Sequence, residues 1–307
     1  MELGSRRLTF EDHRRSMEAL RYVYPVLSRR ARGISLGINL NPDKACNFDC
    51  VYCQVDRTIP GARGVELEVI EQELSLLLGW VADGTLFEHP PFDTVVGSMC
   101  RVNDVCFAGD GEPTTAPELL PMVERVLRLK AQFGLTHLKT VLITNATMLH
   151  RPRVQEALTL MDRANGEVWA KLDAGTEGYY QRVCVTRVPF ERILDNLLLT
   201  ARVRPLVIQS LFLELEEGGP PDSEVEAYIG RLQHIVREGG QLRTVQLYSV
   251  ARKPPLPGVF SLRNEALDAL VQRVQQALPE VSVEGYYGSE KFMRPRLDLP
   301  TSSSACS

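Results

Sequence analysis

An α/β fold with parallel strands is predicted by two observations: six short runs rich in β-branched residues, and segments of helical period between them. The runs are Ile34–Leu40, Asp104–Ala108, Thr140–Thr144, Val168–Asp173, Val207–Leu213 and Thr244–Val250. Between them, Phe190, Ile193, Leu194, Leu197, Leu198 and Ala201 fall along one helical stripe. A second stripe, Val225, Ile229, Leu232 and Val236, is opened by Asp222 and Ser223 as caps. A third, Leu267, Leu270, Val271, Val274 and Leu278, follows Asn264 as its cap. Pro117 and Pro152 sit where first-turn prolines belong, ahead of two further helices. Strands alternating with helices argue for a parallel sheet wound by crossovers. Six such units in 307 residues predict an incomplete (β/α)6 TIM-like barrel, with a doubly wound open sheet as the rival. In both architectures the chemistry gathers at the C-terminal ends of the strands.

Around this domain, assigned to residues 33–300, residues 1–32 are read as an N-terminal helical extension with a candidate helix over Glu11–Leu20. Residues 301–307, TSSSACS, are read as a disordered tail. Hydrophobic residues make up 44% and charged residues 24%, which is ordinary for a globular chain able to bury a full core. A net charge of −4 gives no strong pull toward nucleic acid. No run reaches the ~18 consecutive apolar residues of a membrane span. The N-terminus carries Glu2, Arg6, Arg7, Glu11 and Asp12 with no apolar core, unlike a secretory signal. Seven cysteines, an odd number, fit a reducing compartment, so a cytoplasmic location without a membrane partner is expected.

Directly after the first run comes KACNFDCVYC, with Cys46, Cys50 and Cys53 spaced C-x3-C-x2-C. Soft thiolates grouped in a loop hold a metal ion or a cluster. Three ligands leave one iron of a cluster free for a non-protein ligand. A structural zinc site usually shows a fourth Cys or His at short spacing, and His89 is remote. Cys100, Cys106, Cys184 and Cys306 have no cluster-like spacing, so no auxiliary iron–sulfur site is expected.

Polar residues also punctuate the strand ends. After the second run lies FAGDGEPT, in which Gly109 and Gly111 allow close backbone approach and Glu112 precedes Pro113. Later runs end in Thr144 and Asn145, in Lys171 and Asp173, in Gln209 and Ser210, and in Tyr248 and Arg252. Lys171 and Asp173 share a face by two-residue alternation. Such residues either line a ligand cavity or are satisfied by their neighbours.

CNFDCVYC resembles the signature loop of the radical S-adenosylmethionine (SAM) superfamily, with Tyr52 just before the third cysteine. That resemblance implies a [4Fe–4S] cluster on Cys46, Cys50 and Cys53. It further implies SAM chelated to the fourth iron, and reductive release of a 5′-deoxyadenosyl radical that abstracts hydrogen from a substrate. It places Tyr52 near the adenine, although a gap-filling role for that ring stays open. GDGEP resembles the superfamily segment that contacts the SAM amino group, which would involve Gly109, Gly111, Glu112 and Pro113. LGINLNPDKACNFDCVYCQVDR, FAGDGEPT, KLDAGTEGYYQRV and IQSLF together look like the branch related to wyosine-type tRNA-modifying enzymes. By that likeness Asn145, Lys171, Asp173 and Ser210 would lie around SAM or substrate. Two departures matter: the chain is acidic and has no flavodoxin-like extension. A small-molecule or peptide substrate is therefore expected over RNA, with an external one-electron donor such as flavodoxin or ferredoxin. The alternatives are an iron–sulfur electron-transfer protein without SAM chemistry, a tRNA-modifying enzyme, or a zinc-stabilised barrel.

Overall fold

The computed structural model describes residues 20–295. The candidate helix Glu11–Leu20 and the tail 301–307 lie outside the described residues, apart from Leu20. The elements run β1 (Val23–Ser28), β2 (Gly33–Ile38), α1 (Leu67–Ala82), β3 (Val102–Phe107), α2 (Leu119–Gln132), β4 (Lys139–Thr144) and α3 (Pro152–Asp162). They continue with β5 (Gly166–Lys171), α4 (Glu177–Cys184), α5 (Phe190–Ala201), β6 (Leu206–Leu211), β7 (Leu213–Glu214) and α6 (Asp222–Arg237). The series closes with β8 (Leu242–Tyr248), β9 (Phe260–Ser261), α7 (Asn264–Ala277) and β10 (Ser282–Tyr286).

One sheet carries the fold, in the order β1-β2-β3-β4-β5-β6-β8-β10. Every strand from β2 onward is parallel to its neighbour, and each new strand adds to the same edge. The strand order never reverses, so the switch point of a doubly wound sheet is missing. Steady addition with crossovers of one hand stacks the helices on one side, and the twisted sheet curls around the other. The result is an incomplete, TIM-like half-barrel in which the six expected strands are β2, β3, β4, β5, β6 and β8.

Two strands flank those six. β1 pairs antiparallel with β2, from Val23 opposite Ile38 to Ser28 opposite Gly33. The sequence reading put only helix before residue 33; here VYPVLS is an edge strand, a position that tolerates Pro25. Its start is fixed by Glu73 on α1, whose carboxylate accepts from the backbone N–H of Arg21 (2.7 Å), Tyr22 (2.9 Å) and Val23 (2.8 Å). β10 extends the other edge in parallel with β8. The two free edges are bridged at the β1–β2 turn: Arg32 pairs with Glu284 at 3.1 Å, and Arg29 Nη1 donates to the Tyr287 carbonyl. Helix starts also shift slightly, since Asp222 and Asn264 are first helical residues rather than caps.

Parallel register sorts the side chains of each strand into two faces. The outer face packs on the helices in one continuous core. The inner face holds a small apolar plug of Cys106, Val141, Trp169 and Val207. Above the plug, Lys171, Gln209, Gln246 and Glu284 stand side by side on successive strands. Below it, Asp104 is 2% exposed and accepts a hydrogen bond from the Ser35 hydroxyl.

Burial pushes the Asp104 carboxyl up from 3.8 to about 6. The folded state therefore holds this proton more tightly than the unfolded chain. That contribution to stability is complete below about pH 4 and is lost as pH rises through 6. In urea unfolding followed from about pH 4 to pH 7, the native chain should lose about 1–3 kcal/mol relative to the Asp104→Asn variant. Parallel stability profiles for the two proteins would show that the carboxyl titrates normally.

Candidate active site at the C-terminal mouth

The segment between β2 and α1 lies over the C-terminal ends of the strands and carries all three clustered cysteines. Its backbone is fixed on two sides. Toward β3, Glu112 N–H donates to the Ala45 carbonyl at 3.2 Å. A Cβ on Gly111 would collide with that same carbonyl, and one on Gly109 would collide with Asn39, so both glycines are needed for the approach. Toward α4, Asp49 N–H donates to the Cys184 carbonyl (3.1 Å) and Val51 N–H to the Val183 carbonyl (3.0 Å). Phe48 meets Tyr180 edge-on at 5.7 Å, and Tyr180 stacks on Phe190. These anchors hold the residues between the cysteines and leave the thiols at the mouth.

Cys46, Cys50 and Cys53 are free and half-buried. Among the described residues, no three His, Cys, Asp or Glu side chains converge as around a single metal ion. The ligands of one cluster sit on separate irons, so three thiols spaced along a loop suit that donor set. N–H groups already face the sulfurs: Phe48 N–H is 3.5 Å from Cys46 Sγ, Asn145 Nδ2 is 4.0 Å from it, and Arg57 Nη2 is 3.8 Å from Cys53 Sγ. Such contacts stabilise thiolate ligands. Burial pushes the Cys46 thiol up to about 11. Cys50 is drawn down, first by the hydrogen bond from Cys184 and against the effect of burial. Cys184 was read from sequence as an isolated thiol; only the α4 contact brings it to the cysteine loop.

The strand-end residues form two groups. Glu112 is 3% exposed, and its Oε1 accepts from Thr114 N–H (3.1 Å), Thr114 Oγ1 (2.5 Å) and Thr144 Oγ1 (2.6 Å). Its Oε2 accepts from Asn145 N–H at 2.7 Å. Burial raises this carboxyl, and the donors work in the opposite direction. Glu112 thus caps the turn that starts with Pro113 and links β3 to β4. Asn145 donates to Asn47 Oδ1 at 2.7 Å, tying the end of β4 to the cysteine loop.

The second group centres on Asp173. Its Oδ1 accepts from Leu211 N–H (2.8 Å), and its Oδ2 accepts from Tyr52 Oη (2.5 Å) and lies 3.2 Å from Lys171 Nζ. Lys171 also donates to Tyr248 Oη at 2.9 Å and stands 4.7 Å over the Tyr52 ring. Burial alone would lower the Lys171 ammonium; Asp173, Tyr248 and Cys50 outweigh it, and the net shift is upward. Burial and the Asp173 charge raise the Tyr52 phenol, so it remains a donor. Tyr52 therefore belongs to a polar network and does not merely fill a gap.

Ser210 does not join this set. Its neighbour Gln209 shares the inner row with Lys171, so Ser210 faces the helices, where its hydroxyl is 2.7 Å from Tyr228 Oη on α6. Counting polar residues in the strand singled it out, whereas alternation along β6 turns it away from the mouth. Two residues missed as a pair, Arg29 and Arg30, come from the β1–β2 turn and line the mouth cavity together with Tyr52, Cys53, Tyr248 and Arg252.

No family model matches the chain. It is 31% identical to a UPF0026 protein of Helicobacter pylori over 139 residues, 45% of this chain and 39% of that one. It is 26% identical to a UPF0026 protein of Synechocystis over 182 residues, 57% of each. A UPF0026 protein of Methanocaldococcus jannaschii is 28% identical over 176 residues, 57% of this chain and 46% of that one. The match thus spans about two fifths of the H. pylori protein's length. The solved structure of TYW1 with a lysine–pyruvate adduct bound superposes with a TM-score of 0.52 at 16% identity, covering 80% of this chain and 74% of that one. At that identity the likeness is one of fold, and it agrees with the half-barrel.

Because the Ala45 carbonyl fills the space a side chain at 111 would need, Gly111→Ala should displace the cysteine loop. The expected cost is about 1–3 kcal/mol in chemical denaturation. Native stability in that variant would mean that the approach is not required.

Proposed function

We propose that this chain is a radical SAM enzyme: Cys46, Cys50 and Cys53 hold a [4Fe–4S] cluster, SAM binds beside them at the mouth, and a substrate other than RNA gives up a hydrogen atom. The observation that carries this reading is the C-x3-C-x2-C loop seated over the C-terminal ends of a parallel half-barrel, with Cys53 and Tyr52 lining one cavity. The fold likeness to TYW1 supports the architecture, and the net charge of −4 supports a small-molecule or peptide substrate. When bound, the cluster and SAM would supply one-electron cleavage to methionine and a 5′-deoxyadenosyl radical.

The chain's own residues do the positioning. Asn145, Asn47 and the α4 contacts hold the loop, so the thiols keep a fixed spacing. Glu112 Oε1 is filled by three donors, while Oε2 accepts one and retains capacity for an ammonium. Lys171, kept charged by Asp173, offers a cation and donor beneath the cavity. Tyr52 presents its ring to the cavity with its hydroxyl already engaged by Asp173. An external one-electron donor of the flavodoxin or ferredoxin kind would serve as reductant.

Anaerobic reconstitution should yield about four irons and four sulfides per chain. Reduction in the presence of SAM should then release 5′-deoxyadenosine, and Cys46→Ala, Cys50→Ala or Cys53→Ala should each abolish it. A fully loaded, reducible cluster that neither binds nor cleaves SAM would replace this reading with an electron-transfer protein. Stoichiometric zinc in place of iron would replace it with a zinc-stabilised barrel.

A further inference from the structure

The end of α4 brings a fourth cysteine to the cysteine loop. Asp49 N–H donates to the carbonyls of Cys184 (3.1 Å) and Val185 (3.2 Å), and Val51 N–H donates to that of Val183 (3.0 Å). These bonds lie on either side of Cys50 and pair the loop with the chain at 183–185 much as two strands pair. Backbones joined in this way run about 5 Å apart, inside the about 4.4–6.8 Å between α-carbons that a disulfide spans. The side chains complete the approach: the Cys184 thiol donates a hydrogen bond to the Cys50 sulfur, and both thiols are free. Cys46 and Cys53 face nitrogen donors, from Phe48 and Asn145 and from Arg57. Phe48 against Tyr180, and Tyr180 against Phe190, hold loop and helix together through side chains as well. None of these contacts involves a cluster, so the two sulfurs stand together before one is loaded.

A buried thiol packs as a small apolar side chain, and at 2% exposure Cys184 meets no reagent from solvent directly. Cys50 is half-buried at the mouth and is the sulfur an oxidant reaches first. That asymmetry is the arrangement of an attacked thiol and a resolving one. We propose that Cys50 and Cys184 form a reversible disulfide in the cluster-free chain, with a small-molecule disulfide of the glutathione type as oxidant. Cys50 loses its proton to solvent and attacks one sulfur of the oxidant, giving a mixed disulfide and releasing one thiolate. Cys184 then loses its proton and attacks Cys50 Sγ, which expels the second. The two protons end on the two released thiols: two protein thiols are oxidised, and one small disulfide is reduced. The product withholds Cys50 from iron, since a cluster ligand must be a thiolate. That consequence rests on the proposed radical SAM reading, whereas the pairing itself does not.

The test uses the full chain prepared without iron, incubated anaerobically with oxidised glutathione, alkylated with N-ethylmaleimide and mapped by peptide mass spectrometry. A peptide pair joined through Cys50 and Cys184, released by dithiothreitol, is expected. The oxidised chain should accept no cluster from a preassembled carrier protein, and should accept it again after reduction with dithiothreitol. Cys184→Ser should abolish the joined pair and leave Cys50 as a glutathione adduct; Cys184→Ala is the second variant if that one does not fold. Cys100→Ser, at an exposed thiol, should leave the joined pair in place. A link from Cys50 to Cys46 or Cys53, a lasting glutathione adduct in the native chain, or no oxidation of Cys50 would each overturn the inference. So would full cluster uptake by the disulfide form. A chain that accepts no cluster even when reduced fails the radical SAM reading and still reports on the disulfide, so the two failures are told apart.

Discussion

The carboxylate of Asp173 is reached from four parts of the chain, and the mouth of the half-barrel is arranged around it. Tyr52 comes from the cysteine loop, Lys171 from the end of β5, Leu211 N–H from β6, and Tyr248 from β8 through Lys171. A buried ion pair of this kind contributes modestly in net terms, because both charges lose their water. Breaking it is another matter: without Asp173 the Lys171 ammonium would sit half-enclosed against two phenols with no counter-charge. The network thus acts mainly as a geometric constraint. It ties the loop that carries the thiols to the strands that carry the cavity wall.

The same logic explains why the loop is fixed so thoroughly elsewhere. Under the proposed function, three cysteines that would address one cluster need a spacing the unaided loop would not keep. Asn47 and Asn145 tie it to β4, the Ala45 carbonyl to the turn after β3, and Asp49 and Val51 to the end of α4. The α4 end is turned back by Val185 in a left-handed conformation, φ 45°. Glu224 on α6 in turn accepts from Gly175 and Thr176, which steadies the segment between Asp173 and α4. Buried carboxylates at 73, 112, 173 and 224 therefore each join backbone N–H groups of one segment to another element, a use of charge that links parts of the fold to one another.

Much of this was legible in the sequence because it rests on local pattern. The six inner strands are β-branched runs, and the cysteine spacing and the glycines of GDGEP are short-range signals. What escaped depends on pairing across the sheet. VYPVLS holds a proline and follows a segment of helical period, so nothing local marks it as a strand; Glu73, some fifty residues on, fixes it. SVEGY is short and interrupted by Gly285, and it becomes β10 only beside β8. Composition says only that a polar residue stands at 210, whereas register says which way it faces, toward Tyr228 on α6.

Arg29 and Arg30 show the limit most directly. In sequence they sit in an arginine-rich turn at the opposite end of β2 from the cysteine loop, with no spacing that connects them to it. In an ordinary closed barrel a turn at that end would stay far from the mouth. Here the barrel is incomplete, and its two edges, β1 and β10, approach each other closely enough for Arg32 to reach Glu284 and Arg29 to reach Tyr287. The seam gives side chains of the turn a lateral route into the interior, and Arg30 takes it to lie against Tyr248. Incompleteness of the barrel is thus more than a missing pair of βα units. It lets a cationic turn become part of the wall of a cavity whose floor and cysteine-bearing rim come from elsewhere in the chain.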